Sequence, residues 1–237
     1  VPNPTFSLKK GIDPKKDQSY FLYHLRKEEL ERLMLPLGDY KKEDVRKIAR
    51  DIGLPAAERP ESQEICFIED RDYCGFISKL NLSENASGPI VDMNGKVLGE
   101  HKGIYHYTIG QRKGLGVSSR IPLYVVKIDA GKNIVYVGSE DHARIREFVV
   151  DEMNWLSPVH PFTLLCASPG ATHSPIHLTA KVRSTMNPAP AELFLDSDLK
   201  TVRVVFDEPQ WAPAPGQSAV FYDGDAVTGG GIIKETK

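Results

Sequence analysis

Residues 213–235 read PAPGQSAVFYDGDAVTGGGIIKE. A turn rich in Pro and Gly leads into an apolar run. Asp223-Gly224 then offers a tight reversal, and the returning run carries Gly229, Gly230 and Gly231 in succession. Asp-Gly between β-prone runs is a hairpin signal. A glycine run inside a strand marks a bulge or a close approach, as in the wall of a small barrel. Upstream, the same kind of short apolar run recurs in TVRVVFD (201–207), AELFLD (191–196), IHLTAKV (176–182) and TLLCAS (163–168), parted by turns of Pro, Gly, Asp and Asn. Short strands at this spacing predict a small sandwich or barrel from about residue 148 to the end.

Further back the pattern is still alternating. IVDMNGKVLGEH (90–101) places Asn94-Gly95 between apolar pairs, and LYVVKIDAGKNIVYVGS (123–139) turns at residues 130–133. Both read as hairpins. Before residue 68 the period is helical. In SYFLYHLRKEELERLM (19–34) apolar residues recur at steps of three and four, with Ser19 near the expected N-cap. KKEDVRKIARDI (41–52) carries Val45, Ile48, Ala49 and Ile52 as an apolar stripe and stops at Gly53. The expected organisation is α+β in three pieces: helical over 1–68, mixed β over 69–147, and all-β over 148–237.

Composition narrows the function classes. The 237 residues are 41% hydrophobic and 26% charged, and 30 Lys+Arg against 32 Asp+Glu give a formal net charge of −2. That argues against a wholly basic nucleic-acid coat protein while leaving room for a local basic patch. No long apolar run predicts a membrane span, and no leader is expected. Cys66, Cys74 and Cys166 are too few and too irregular for a disulfide framework or a zinc site, so a reducing cytoplasm is expected. Residue 1 is Val, and VPNPTFSLKKGIDP opens like the interior of a longer chain, so a fragment is expected.

Three stretches could carry chemistry. Cys66, in ERPESQEICFIED (58–70), reads either as a buried structural cysteine or as a reachable thiol for sulfur chemistry. Lys15, Lys16, Asp17 and Gln18 precede a helix start, where two cations and free backbone N–H groups suit a phosphate; a solvated helix entry fits equally. HKGIYHYTIGQRKGLGVSSR (101–120) mixes glycines, cations and tyrosines, as a nucleic-acid contact loop or a plain basic turn would. It lacks the spacing of a phosphate-binding P-loop, and His101 and His106 have no companion ligands for a metal, so none is expected. Gln217 could meet a base edge or a phosphate.

Taken in order, KDQSYFLYHL, LPLGDYKKEDVRKIARDIGLP, ESQEICFI, GEHKGIYHYTIGQRKGLG, YVVKIDAGKNIVYVG and PGQSAVFYDGDAVTGGGII closely resemble the tRNA-specific 2-thiouridylases. The resemblance runs over almost the whole chain. It implies the helical end of an ATP-pyrophosphatase (adenine nucleotide α-hydrolase-like) domain, a small mixed β central domain and a C-terminal β-barrel. The family's SGGVDSS-type phosphate loop and its first catalytic cysteine are not in this sequence. By resemblance Cys66 is the persulfide cysteine, Lys16, Asp17 and Gln18 contact tRNA, and so does Gln217. Arg183 and Ser184 fall where the barrel approaches RNA, although KVRSTMNPAP lacks the aromatic that usually follows that arginine.

The implied reaction is 2-thiolation of a wobble uridine. ATP, with Mg, adenylates the uracil O2, the Cys66 persulfide delivers sulfur, and the upstream cysteine resolves it to leave a disulfide. The implied partners are tRNA and a sulfur-donor protein, either a cysteine desulfurase or a sulfur-relay protein. A non-catalytic tRNA-binding module and a scaffold that docks a sulfur-relay partner are the alternatives.

Overall fold

A computed structural model describes residues 6–59, 75–76, 87–157, 175–196 and 199–237. Cys66, Cys74, Cys166 and the expected TLLCAS strand lie outside the described residues. The chain divides into two compact units, Val1–Arg59 with Arg146–Lys237, and Pro60–Ile145.

The first unit is built on a closed barrel. Its six strands are β5 (Arg144–Trp155), β6 (Ile176–Lys181), β7 (Ala189–Leu195), β8 (Val202–Trp211), β9 (Ser218–Asp223) and β10 (Ala226–Thr236). They run β10-β5-β8-β7-β6-β9 around the wall, with β9 paired back to β10. Alternation sorts the side chains. Phe148, Val150, Ala180, Val182, Leu193, Val204, Phe206, Ala219 and Phe221 fill the interior. The next residues along β9, Val220 and Tyr222, face outward, yet both are fully buried. They form a second core with Leu8, Tyr20, Tyr23, Leu30, Leu156 and Val227. The N-terminal segment thus covers one outer face of the barrel. Each fully buried side chain of this size stabilises by about 1.5–3 kcal/mol.

That segment is less helical than its periodicity predicts. In place of one helix over 19–34 there are two single turns, α1 (Ser19–Leu22) and α2 (Lys27–Leu30). The barrel causes the break. Asn154 of β5 donates its Nδ2 to the carbonyls of Tyr23 (2.6 Å) and Leu25 (3.0 Å), acceptors that a continuing helix would have needed. Glu29 then caps the Arg26 N–H at 2.7 Å and restarts the helix. α1 is preceded by Gln18 at the N-cap position, one residue before the expected Ser19. The third helix, α3 (Lys42–Asp51), forms as its pattern predicts and ends before Gly53, whose φ of +69° suits a residue without Cβ. α3 buries none of its residues, and Ile48 and Ile52 of its apolar stripe remain 44% and 66% exposed.

The second unit holds a four-stranded sheet, β1 (Gly88–Asp92), β2 (Val97–His101), β3 (Tyr124–Asp129) and β4 (Ile134–Gly138), in the order β2-β1-β4-β3. Both expected hairpins are present. Asp92 Oδ1 accepts from the N–H groups of Asn94 and Lys96, each at 2.9 Å, which closes the first turn. β1 and β4 pair in parallel, Val91 opposite Tyr136. A short helix, α4 (Glu140–Ala143), follows.

Candidate RNA-contact site

The turn that carries Lys16, Asp17 and Gln18 is organised by one carboxylate. Asp17 Oδ1 accepts from the N–H groups of Gly11 (3.1 Å) and Ser19 (3.0 Å), and Oδ2 accepts from the Ser19 hydroxyl at 2.8 Å. These bonds fold the backbone around a half-buried Asp17 and leave Lys16 and Gln18 exposed. The Ser19 hydroxyl in turn lies 3.4 Å from the Tyr222 hydroxyl on the outer face of β9. Upstream, Leu8 and Lys10 run along the start of β10. Val227 N–H donates to the Leu8 carbonyl (2.8 Å) and Lys10 N–H to the Asp225 carbonyl (2.9 Å). Lys10 Nζ donates to the Gly224 carbonyl at 2.8 Å and stands 4.6 Å from the centre of the Tyr222 ring.

Tyr20 joins this turn to the other expected contacts. Its hydroxyl donates to the Ser218 carbonyl at 2.8 Å, directly after Gln217. Burial raises its pKa to about 12, and the Arg183 guanidinium acts in the opposite direction. Arg183, half-buried just past β6, donates Nη2 to the Ala212 carbonyl at 2.9 Å, and burial lowers its pKa. Ser184 is half-buried beside it, in a turn closed by the Met186 N–H donating to the Arg183 carbonyl at 3.2 Å. Gln217 Oε1 accepts from the Ala214 N–H at 3.2 Å, which ties the PAPG turn. Lys16, Asp17, Gln18, Arg183, Ser184 and Gln217 therefore all belong to one unit, and Tyr20 links their segments. Cys66 lies outside the described residues.

The sequence motifs single out none of Lys10, Lys181 and Tyr222, and they mark Ser19 only as lying near a helix N-cap. The inward–outward alternation of IHLTAKV and SAVFYD could have placed Lys181 and Tyr222 on the outer face. It could not have shown that residues 8–30 cover that face.

The 101–120 stretch of the second unit is a fixed structure. Gln111 accepts from the Thr108 N–H (2.9 Å) and donates to the Lys113 carbonyl (2.9 Å), and Leu115 anchors the loop in the core. Arg112 and Lys113 stay exposed. His101 is fully buried, with Nδ1 accepting from the Gly103 N–H (3.1 Å) and Nε2 facing the Asn133 carbonyl (3.0 Å). Both ring nitrogens are thus engaged by backbone. Among the described residues no group of His, Cys, Asp and Glu gathers to hold a metal, and no helix is long and apolar enough to cross a membrane.

The described residues form an α+β chain with a closed six-stranded barrel, a turn latched to the barrel wall and a four-stranded mixed sheet in a second unit. Family models match it end to end: the tRNA methyl transferase HUP domain over residues 2–70, the tRNA methyl transferase PRC-barrel domain over 76–139, and the aminomethyltransferase beta-barrel domain over 145–233. Among its relatives, the tRNA-specific 2-thiouridylase MnmA of Halothermothrix orenii is 43% identical over 228 residues, 96% of this chain and 60% of that protein. The tRNA-specific 2-thiouridylase MnmA 1 of Caldanaerobacter subterraneus subsp. tengcongensis is 47% identical over 230 residues, 97% of this chain and 60% of the relative. The chain belongs to the tRNA-specific 2-thiouridylase family. It spans about 60% of the length of the curated relatives it matches.

Proposed function

We propose that this chain is part of a tRNA-uridine 2-sulfurtransferase, in which it grips tRNA and delivers sulfur to the wobble uridine. The observation that carries the reading is the convergence of the Lys16–Gln18 turn with the segments of Arg183 and Gln217 around Tyr20. Exposed Lys16 supplies charge for a phosphate. Gln18 supplies an amide for a base edge or sugar, and Gln217 can present its amide N–H groups from a turn that its own Oε1 stabilises. Asp17 shapes the turn. The names of the relatives favour thiolation.

Cys66 is the sulfur carrier in this reading. A persulfide has a nucleophilic terminal sulfur that a hydroxyl cannot match, and it would attack C2 of a uracil whose O2 has been made a leaving group. The attack joins the outer sulfur to C2 and the activated O2 leaves with AMP; a second cysteine then attacks Cys66 Sγ, the S–S bond breaks so that the outer sulfur stays on C2, and a disulfide with Cys66 results. ATP, with Mg, supplies the activation when bound. The other proposed partner is a cysteine desulfurase or sulfur-relay protein, and the proposed compartment is the cytoplasm. The proposed domain division is 1–68, 69–147 and 148–237.

The test is persulfide loading. The protein is incubated with a cysteine desulfurase and cysteine, and the added sulfur atom is mapped by mass spectrometry. Loading on Cys66, with none on Cys74 or Cys166, is the expected result. Intact tRNA thiolation in a Cys66→Ser variant of the whole protein would overturn the assignment, and would leave tRNA binding alone to this chain.

A further inference from the structure

Between Glu100 and Asp129 the chain holds Lys102, Arg112, Lys113, Arg120 and Lys127 and no Asp or Glu, although its formal net charge is −2. All of these cations are exposed. Lys127 stands 5.6 Å from the centre of the Tyr136 ring, and among the described residues none of the charged groups has an ion-pair partner. Like charges on one segment repel one another and raise the local potential, which an anionic partner relieves.

The segment around Arg112 and Lys113 is a strap tied to both edge strands of the sheet. At one end the Gly110 N–H donates to the Val125 carbonyl (2.7 Å) and the Val125 N–H to the Gln111 carbonyl (2.9 Å), on edge strand β3. At the other end Val117 packs on β2, the opposite edge, where a Cβ at Gly99 would lie 2.9 Å from Val117 Cγ1. Between these ties Leu115 enters the core, while Arg112, Lys113, Gly114 and Gly116 stay exposed. Gly114 and Gly116, with φ of +77° and +70°, permit the sharp bends on either side of Leu115. Gln111 braces the bend at both ends, through the Thr108 N–H and the Lys113 carbonyl. The two cations thus stand on a preshaped backbone, and an anion that meets them has little chain to order.

We propose that Arg112 and Lys113 form a further phosphate-contact site for tRNA, carried by the second unit in addition to the Lys16–Gln18 turn of the first. The proposal rests on the reading of this chain as one that grips tRNA. The chemistry favours a phosphodiester backbone over an acidic protein. Residues 101–128 expose one large apolar side chain, Ile121, whereas a protein interface buries an apolar centre depleted in lysine. Arg112 can take a phosphate through two parallel N–H bonds, and Lys113 adds a point charge beside it. Contacts of this kind add affinity and register and read no base.

The test measures tRNA affinity of the whole protein across a salt series, with phosphate-ethylation interference to locate the contacts. Arg112→Ala and Lys113→Ala are each expected to weaken binding about fivefold and to lower the salt slope by about one, and the double variant to lower it by about two. Arg112→Lys, which keeps the charge, is expected to keep the slope while losing affinity. Both side chains are exposed and make no contact that the fold uses, so the thermal melt of each variant is expected to match the unmodified protein. The phosphates that stop interfering in the double variant are expected to differ from those lost in Lys16→Ala. An unchanged slope in the double variant, with a lowered slope in Lys16→Ala, would overturn this site and leave the first one standing. Unchanged slopes in both would overturn the reading that the chain grips tRNA. A normal slope in the double variant together with lost sulfur loading from a cysteine desulfurase would overturn the site as an RNA contact and assign the strap to a protein partner.

Discussion

The ring of Tyr23 occupies the space that any side chain at Gly230 would need. A Cβ there would lie 2.7 Å from Tyr23 Cδ2 and 2.7 Å from the Ala219 carbonyl oxygen. Tyr23 is 1% exposed, and its hydroxyl donates to Ser218 Oγ at 3.0 Å. The glycine in β10 is therefore what lets the N-terminal segment press against the barrel wall.

Gly230→Ala is expected to destabilise the first unit by about 1–3 kcal/mol, the usual penalty of overpacking a filled site. Urea unfolding followed by tyrosine fluorescence measures it. An unchanged midpoint would mean that the Tyr23 ring can withdraw without loss.

Asn154→Ala is expected to cost about 1–3 kcal/mol, because it leaves two part-buried carbonyls, Tyr23 and Leu25, without their donor. The same denaturation experiment reads it. Asn154→Asp is expected to fail as a substitute, since a carboxylate cannot donate to a carbonyl. Wild-type stability in both variants would remove the explanation offered for the break between α1 and α2.

Alkaline pH is expected to loosen the same unit. Burial raises the pKa of Tyr20 and of Tyr222 from 10.0 to about 12. A raised pKa means that the folded state holds these protons more tightly than the unfolded state does. The stability linked to them is complete below pH 10.0 and is lost as the pH rises toward about 12. The melting temperature should fall across that window while tyrosinate absorbance rises with unfolding. Tyr222→Phe, which has no proton to lose, should flatten the fall. Ionisation of every tyrosine near the ordinary value with the fold intact would count against this.

The hairpins at Asn94-Gly95 and Asp223-Gly224 were legible because their signal is local: a turn residue and the alternation on either side of it. Helix α3 was legible for the same reason. The expected helix over 19–34 was not realised, because Asn154, more than a hundred residues away, takes the carbonyls on which continuation depends. The tRNA-contact candidates Lys16, Asp17, Gln18, Arg183, Ser184 and Gln217 came from ordered motifs. Nothing in those motifs distinguished the half-buried Asp17, which shapes the turn, from the exposed Lys16 and Gln18 beside it.

Local chemistry in the chain was sufficient for the turns and for the periods of the described strands, and the order of its motifs was sufficient for the family. Closure of the barrel, with β10 bonded to both β5 and β9, was beyond it, since pairing between distant strands leaves no local mark. The fate of the outward side chains was beyond it too. Alternation says only that Lys181 and Tyr222 leave the barrel interior. Whether such a residue meets water or another segment depends on what packs there, and here the segment of residues 8–30 buries Tyr222.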